Sequence, residues 1–362
     1  MGKNQSMFMN TYQKILKVAS RWSVDFPEFI QTIDMHTGGE PLRIILNGFP
    51  PFKGQNVLEI RNDIASHYDH LRKLLMWEPR GHADMYGCIL TPPNDKDADF
   101  GVVFLHNAGY STMCGHAIIA LSELIVRMKC KEPENGVVKL TIDAPCGRIF
   151  SKVIANNGHS HQVIFQGVPS YVTELDLVIQ VSTLGRVVCD IAYGGAFYAY
   201  VDMRKNRFPF QLVPEHLPQI IDMGMKIKRA VNKSALAIKH PYEPDLEFLY
   251  GTIFIDDAHQ SENHSRNVCV FADGEVDRCP TGSGLCGRLA IHEARGEVLS
   301  AERITIESIT GSVFTGSYVQ SKDFGSFHAV LPHVEGRASI TGFHQFVLEK
   351  NDPFPQGFLL RG

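Results

Sequence analysis

The chain lacks the features that mark several large classes of protein. It has no excess of positive charge, since 35 Lys and Arg residues oppose 39 Asp and Glu residues for a net charge of −4. Attraction to nucleic acid or to an anionic membrane surface therefore has no electrostatic basis. No apolar run approaches the roughly 18 residues that a membrane-spanning helix needs, and residues 1–30 show no secretory signal pattern. We expect a cytoplasmic protein with neither nucleic acid nor a membrane as its partner.

Cysteine pairs and metal-binding motifs are also missing. The eight cysteines are spread singly and no CxxC pair occurs, so free thiols are expected rather than a disulfide framework. The sixteen histidines include no HExxH spacing, and we expect no bound metal. Residues 1–6 (MGKNQS) fit the loose pattern for N-myristoylation of Gly2. An ordinary polar N-terminus explains the same residues, and nothing else in the chain indicates membrane attachment.

The sequence does contain an internal duplication. The chain has 362 residues, 44% of them apolar, which is enough for two packed domains. Three segments recur in the same order: DMHTGGEP at 34–41 and DIAYGGAF at 190–197, MYGCIL at 85–90 and LYGTIF at 249–254, KLTIDAPCGRIF at 139–150 and RITIESITGSVF at 303–314. The matches indicate two related halves.

Each half combines β-rich runs with one longer helical stretch. The β-rich runs lie at 42–46, 100–105, 197–201 and 267–271, and helical spacing of apolar residues covers 114–127 and 281–294. This pattern predicts an α+β fold of two pseudo-symmetric domains, each a sheet wrapped around a central helix, with a ligand site in the cleft between them.

The duplication also suggests domain limits. We expect an N-terminal extension over residues 1–30, with an accessory helix around 12–22. The first domain is expected over 31–188 with the C-terminal segment 342–362, and the second over 189–341.

Both predicted helices start with a short polar side chain followed by glycine. Cys114 lies ten residues after Phe104, and Thr281 lies ten residues after Phe271. A helix N-terminus offers free N–H groups and a partial positive charge, which favour a bound carboxylate and the thiolate of a cysteine. Helix capping alone would explain Thr281. Cysteine is not a favoured N-cap, so Cys114 indicates chemistry.

Five segments together resemble the proline racemase-like superfamily, and they look closest to the branch that dehydrates trans-3-hydroxy-L-proline. The resemblance runs from about residue 30 to the C-terminus, and it implies a diaminopimelate epimerase-like fold, an active site between the domains and no cofactor. Members often form dimers, so a homodimer is expected. The segments are DMHTGGEPLR at 34–43, EPRGHADMYG at 78–87, MCGH at 113–116, DIAYGGAF at 190–197 and DRCPTGSG at 277–284.

The resemblance also implies a reaction. Racemases and epimerases of the superfamily place one cysteine on each face of the substrate; here the first position is Cys114 and the second is Thr281. An alcohol is too weakly acidic to exchange protons as a thiol does. With one base, an enzyme can still deprotonate the α-carbon and expel a neighbouring hydroxyl. The expected activity is that of a hydro-lyase, with a small imino acid as substrate and Δ1-pyrroline-2-carboxylate as product.

Other roles follow from the same resemblance. Gly115, His116, Gly282 and Ser283 are expected to bind the carboxylate and ring. Asp277 is expected to pair with the ring ammonium, and Thr281 to hold the second face and touch the 3-hydroxyl. His116, a water molecule and the re-protonated Cys114 all remain open as the acid that protonates the departing hydroxyl. Candidates for the pocket wall are Tyr86, Phe104 and Phe271. For His36, His82 and Asp84, a structural role and a substrate contact are both open.

Three alternatives are considered. In a proline racemase or 4-hydroxyproline 2-epimerase, Cys279 would act as the second thiol, two residues before Thr281. Residues of an extended segment advance ~3.3 Å each, so this sulfur would be displaced by several ångströms. A buried structural role for Cys279 is therefore favoured. Residues 282–287 (GSGLCG) with Glu302 formally fit a dinucleotide-binding pattern, but they lack a βαβ setting. A binding protein without turnover would bind pyrrole-2-carboxylate, and the intact Cys114, His116 and Asp277 argue against it.

Overall fold

The computed structural model of the protein describes residues 11, 14–15, 29–154, 162–234, 236, 238–320 and 323–360. These ranges contain five α-helices and eighteen strands. The helices are α1 Val57–His67, α2 Asp69–Met76, α3 Gly115–Arg127, α4 Leu217–Lys233 and α5 Gly282–Arg295. The strands are β1 Phe29–Thr37, β2 Glu40–Asn47, β3 Tyr86–Thr91, β4 Phe100–His106, β5 Tyr110–Ser111, β6 Val137–Ala144, β7 Gly147–Ile154, β8 Gln162–Gln166, β9 Ser170–Val181, β10 Gly185–Tyr193, β11 Phe197–Asp202, β12 Leu249–Asp256, β13 Ser265–Phe271, β14 Glu275–Val276, β15 Ile304–Glu307, β16 Val313–Gln320, β17 Ala329–Gly336 and β18 Ala338–Val347.

The strand pairings repeat between the two halves of the chain. β2 pairs in parallel with β3, as β11 does with β12. β4 pairs in parallel with β6, as β13 does with β15. The remaining steps are antiparallel in both halves: β3 with β4 and β12 with β13, then β6 with β7 and β15 with β16. The duplication in the sequence is therefore a duplication of topology.

The two halves join where β8 pairs with β17. The C-terminal strand β18 returns to pair with β1 along its whole length, in agreement with the expected return of the C-terminus to the first domain. β9 pairs with β10 and β17, so by pairing it lies with the second half. The domain limits at 188 and 341 remain predictions.

Each half wraps its strands around one central helix. α3 packs against β1, β2, β7 and β8, and α5 packs against β9, β10, β11 and β16. Residues 115–124 of α3 and 282–292 of α5 are buried, because a helix enclosed by a sheet has no face left for solvent. The two helical stretches expected at 114–127 and 281–294 are confirmed within one residue. α1 and α2 lie in the crossover from β2 to β3, and α4 lies in the equivalent crossover from β11 to β12.

Two further expectations concern the helices. Most of the accessory helix expected around 12–22 lies outside the described residues. No helix in the part of the chain that the structure describes is long and apolar enough to cross a membrane.

Candidate active site

The N-termini of the two central helices meet at their glycines. A Cβ atom added to Gly115 would lie 2.6 Å from the Cα of Gly282, and one added to Gly282 would lie 2.7 Å from the Cα of Gly115. The ring of Phe165 closes the same contact, 3.1 Å and 3.4 Å from those Cβ positions. The family resemblance predicted that these glycines bind the substrate. The structure shows that they allow the two helix ends to touch.

A small cavity lies at this junction. Nine of the ten predicted site residues line it; the exception, Phe104, is fully buried in the core on β4, so its prediction as a pocket wall is wrong. Four lining residues were not predicted, namely Met113, Tyr198, Tyr250 and Cys269. The lining residues are Tyr86, Met113, Cys114, Gly115, His116, Tyr198, Tyr250, Cys269, Phe271, Asp277, Thr281, Gly282 and Ser283.

Cys114 caps α3 and faces His116. Its Sγ accepts a hydrogen bond from the backbone N–H of Ala117 at 3.4 Å and lies 3.1 Å from Nδ1 of His116. Burial raises the pKa of the Cys114 thiol well above its ordinary value, while the Ala117 N–H and the Tyr86 hydroxyl oppose that shift. Burial lowers the pKa of His116 to about 3. The site therefore holds a thiol beside a neutral imidazole.

Thr281 occupies the equivalent position at the start of α5 but does not cap the helix with its side chain. Capping therefore does not explain this residue. Its φ of +66° lies in the left-handed region, where a β-branched residue is strained by roughly 1–3 kcal/mol. Its Oγ1 is buried and makes no hydrogen bond to any described residue. Strain and an unpaired hydroxyl at one residue indicate a site rather than a structural cap.

Two buried carboxyl groups lie beside the cavity. Oδ1 of Asp277 accepts the backbone N–H of Cys279 at 2.8 Å, and burial raises the pKa of Asp277. Glu40 accepts the backbone N–H of Arg278 at 2.7 Å. Burial first, and Asp277 second, raise the pKa of Glu40 well above its ordinary value. The charge of Arg278 opposes both shifts, and a cationic group bound beside Asp277 would oppose them further. Glu40 was missed, although it lies in the DMHTGGEP segment.

The tyrosines of the cavity differ in their partners. The Tyr86 hydroxyl hydrogen-bonds to Ser111, and the Tyr198 hydroxyl bonds to Oγ of Ser283 at 2.7 Å. The Tyr250 hydroxyl is buried and meets no hydrogen-bond partner among the described residues. A signal for Tyr250 was present in the sequence, because it is the counterpart of Tyr86 in the repeated MYGCIL and LYGTIF segments.

The residues whose role was left open all lie outside the cavity lining. His36 accepts the backbone N–H of Gly39 at 3.2 Å in a turn. His82 contacts the carbonyl of Ala83 at 2.7 Å. Asp84 pairs with Arg278 at 2.7 Å. These contacts give each residue a structural role.

Cys279 lies next to the cavity without lining it. Its Sγ accepts the backbone N–H of Thr281 at 3.4 Å. Ligand atoms of His116, Asp277 and Cys279 lie within 4.8 Å of one another and could hold a metal ion. Asp277 and Cys279 already accept backbone hydrogen bonds there, and the absence of a cofactor remains a prediction.

The GSGLCG segment does not form a phosphate-binding turn. It lies inside buried α5, where a Cβ on Gly284 would come within 2.3 Å of Ile253 and one on Gly287 within 2.2 Å of Tyr200. These glycines permit close packing of α5 against β11 and β12. The GSGLCG segment therefore does not support the dinucleotide-binding alternative.

Comparison with known proteins identifies the family. The sequence profile described as proline racemase matches residues 32–359. The chain belongs to the proline racemase family. A trans-3-hydroxy-L-proline dehydratase of Colwellia psychrerythraea is 48% identical over 92% of this chain and 93% of its own length. A 3-hydroxyproline 2-epimerase of Burkholderia multivorans is 41% identical over 92% of this chain and 98% of its own length.

A solved structure confirms the fold. The hydroxyproline epimerase from Agrobacterium vitis, with bound trans-4-OH-L-proline, superposes with a TM-score of 0.85 and is 27% identical over 93% of this chain and 97% of its own chain. The predicted fold class and family are both confirmed. Relatives named for dehydration and for epimerisation occur at similar identity, so the chemistry must be argued from the site.

Proposed function

We propose that the protein is a hydro-lyase that converts trans-3-hydroxy-L-proline to Δ1-pyrroline-2-carboxylate. The observation that carries the proposal is the asymmetry of the two converging helix starts. Cys114 caps α3 with a thiol, whereas Thr281 stands at the start of α5 with an alcohol. One face of a bound ring would meet an acid–base group, and the other would not.

The substrate carries opposite charges that suit the cavity. Its carboxylate would lie at the joined helix N-termini, where Gly115 and Gly282 supply free N–H groups, with His116 and Ser283 beside it. Its ring ammonium would pair with Asp277. The ammonium would relieve the repulsion between Asp277 and Glu40, which acts after burial to raise the pKa of Glu40. Binding thus becomes selective for a zwitterion.

The reaction then needs one base. The Cys114 thiolate removes the α-proton, and the electron pair of that C–H bond forms a double bond between Cα and C3. The C3–O bond breaks and the oxygen leaves as water after gaining a proton. The enamine formed tautomerises to the pyrroline. Re-protonation of Cα from the opposite face would require an acid that the Thr281 alcohol does not provide.

Epimerisation is the second candidate, because a second thiol is close. Cys269 lines the cavity, and burial followed by the charge of Asp277 raises its pKa well above the ordinary value, which keeps it protonated. A protonated thiol on the second face would invert the α-carbon. Cys269 is a stronger candidate for this role than Cys279, which does not line the cavity.

Incubation with trans-3-hydroxy-, trans-4-hydroxy- and unsubstituted L-proline in D₂O separates the two functions. We expect a pyrroline product from the first compound alone, its loss in Cys114→Ser, and its retention in Cys269→Ser. Inversion of L-proline or trans-4-hydroxy-L-proline, abolished by Cys269→Ser, would instead establish an epimerase. Binding of pyrrole-2-carboxylate without turnover of any of the three compounds would show that the protein binds an imino acid but is not an enzyme.

The assembly and location of the protein are further proposals. A homodimer agrees with the family resemblance, and a cytoplasmic location is proposed with it. Light scattering of the purified protein and fractionation of cells test them.

A further inference from the structure

Two buried hydroxyl groups of the cavity, on Thr281 and Tyr250, have no hydrogen-bond partner among the described residues. Leaving such a group unpaired costs about 1–3 kcal/mol, so a ligand group is expected to meet each of them. Tyr250 lies on β12 and is 6% exposed. Its hydroxyl is close enough to Tyr86 and Cys114 for both to affect its pKa.

The internal duplication shows why Tyr250 is unpaired. Its counterpart, Tyr86, bonds to Ser111, which lies opposite Phe104 in the pairing of β4 with β5. The position opposite Phe271 in the equivalent pairing of β13 with β14 is Glu275. The Glu275 carboxylate pairs with His106 at 3.2 Å instead. The second half therefore has the tyrosine without the partner that the first half provides.

The stereochemistry of the proposed substrate indicates what the hydroxyl could do. In trans-3-hydroxy-L-proline the hydroxyl and the carboxylate lie on opposite faces of the ring, so the hydroxyl shares a face with the α-hydrogen. The group that protonates the departing oxygen must therefore lie on the side of Cys114. This step rests on the proposed function, and it moves the expected contact with the 3-hydroxyl away from Thr281.

Other donors near Cys114 are already engaged. With its pKa lowered to about 3, His116 is neutral, and its ring bonds to the carbonyl of Pro41. The ring N–H is used there, which leaves the nitrogen facing Cys114 as an acceptor. Tyr86 is held by Ser111. Burial and the charge of Glu275 keep the pKa of Tyr250 well above its ordinary value, so Tyr250 carries its proton at neutral pH.

We propose that Tyr250 is the general acid that protonates the departing 3-hydroxyl. Cys114 first takes the α-proton; the C3–O bond then breaks while the oxygen takes the Tyr250 proton and leaves as water. This leaves a thiol at Cys114 and a phenolate at Tyr250. Transfer of one proton from the thiol to the phenolate restores both groups, and Tyr86 lies close enough to both to pass it.

The test is Tyr250→Phe, assayed with trans-3-hydroxy-L-proline in D₂O. We expect dehydration to slow by about 100-fold or more, while recovered substrate acquires α-deuterium because Cys114 still removes the proton. Tyr193→Phe is the matched control, because Tyr193 is also a buried tyrosine of the second half with an unpaired hydroxyl but does not line the cavity. It should retain wild-type dehydration.

Two results for Tyr250→Phe would overturn the assignment. Dehydration within threefold of wild type would show that another group supplies the proton. Slow dehydration with no deuterium in the recovered substrate would place Tyr250 before proton abstraction, in a positioning role. A wild-type protein that inverts substrates without releasing a pyrroline would instead refute the proposed function itself.

If Tyr250→Phe does not fold, the wild-type protein can be tested instead with the cis isomer of the substrate. In cis-3-hydroxy-L-proline the hydroxyl lies on the face away from Cys114 and out of reach of Tyr250. We expect α-deuteration of this isomer with dehydration at least about 100-fold slower than for the trans isomer. Equal dehydration of the two isomers would contradict a general acid on the Cys114 side.

Discussion

Replacing Gly115 with alanine tests whether the contact between the helix starts sets the geometry of the site. The new Cβ would lie 2.6 Å from the Cα of Gly282 and 3.1 Å from the ring of Phe165. Carbon atoms pack at about 3.5–4.0 Å, so the helices must separate by about 1 Å. Such overpacking costs about 1–3 kcal/mol, and better helix propensity returns at most about 1 kcal/mol. We expect a net loss of roughly 1–2 kcal/mol.

The loss of activity should be larger than the loss of stability suggests. A shift of about 1 Å between groups on the two helices can lower the rate about 100-fold, because both helix N-termini form the proposed carboxylate site whereas Cys114 belongs to α3 alone. Urea denaturation measures the stability, and kcat/KM for pyrroline release measures the activity. Gly109→Ala is the matched control, since a Cβ there meets nothing within 4 Å and should change neither quantity.

The reasoning fails if Gly115→Ala keeps both wild-type stability and wild-type kcat/KM. That result would show that the helix starts can separate freely and that their contact does not position the substrate. A variant that loses stability and keeps kcat/KM would also contradict it.

Three further predictions concern the thiols and metal ions. Only the thiolate of Cys114 can take the α-proton, and burial raises the pKa of that thiol above its ordinary 9.0; log kcat/KM should therefore rise by about one per pH unit between pH 7 and 9, and a flat profile would contradict this assignment. Cys279→Ser should retain dehydration within threefold, because a serine Oγ can still accept the N–H of Thr281; loss of turnover would give the displaced thiol a role. Dialysis against EDTA and then 1,10-phenanthroline should leave kcat unchanged, and recovery of a lost activity by Zn²⁺ would show that the sequence prediction of no metal is wrong.

The sequence predicted the parts of the fold that are local in the chain. The limits of α3 and α5 follow from apolar spacing and from the polar residue and glycine at each start. The duplication predicted that the two halves have related folds, and the repeated strand pairings agree with it. The helices of the two parallel crossovers, α1 and α2 between β2 and β3 and α4 between β11 and β12, lie outside the three repeated sequence segments, so the duplication did not predict them.

The site was predicted where the residues occur in motifs and missed where they meet only in space. Cys114, Asp277 and Thr281 lie in recognisable segments. Cys269 occupies a strand that is buried on both faces, so the alternation of its neighbours does not show which side chains face the cavity. Phe104 was expected to behave like Phe271, its counterpart at the same distance before the helix. The pseudo-symmetry is not maintained at that position, and Phe104 is in the core.

The chemistry of the cavity depends on the positions where the two halves differ. Cys114 faces a threonine counterpart, which leaves one base in place of the pair that inversion requires. Ser111 is replaced in the second half by Glu275, which frees the Tyr250 hydroxyl from an internal partner. In the proposed mechanism both differences favour elimination: the first removes a proton donor from the far face of the ring, and the second leaves the Tyr250 hydroxyl free to donate a proton to the departing oxygen. An enzyme with a cysteine at position 281, or with a serine at position 275, would lose one of these two features.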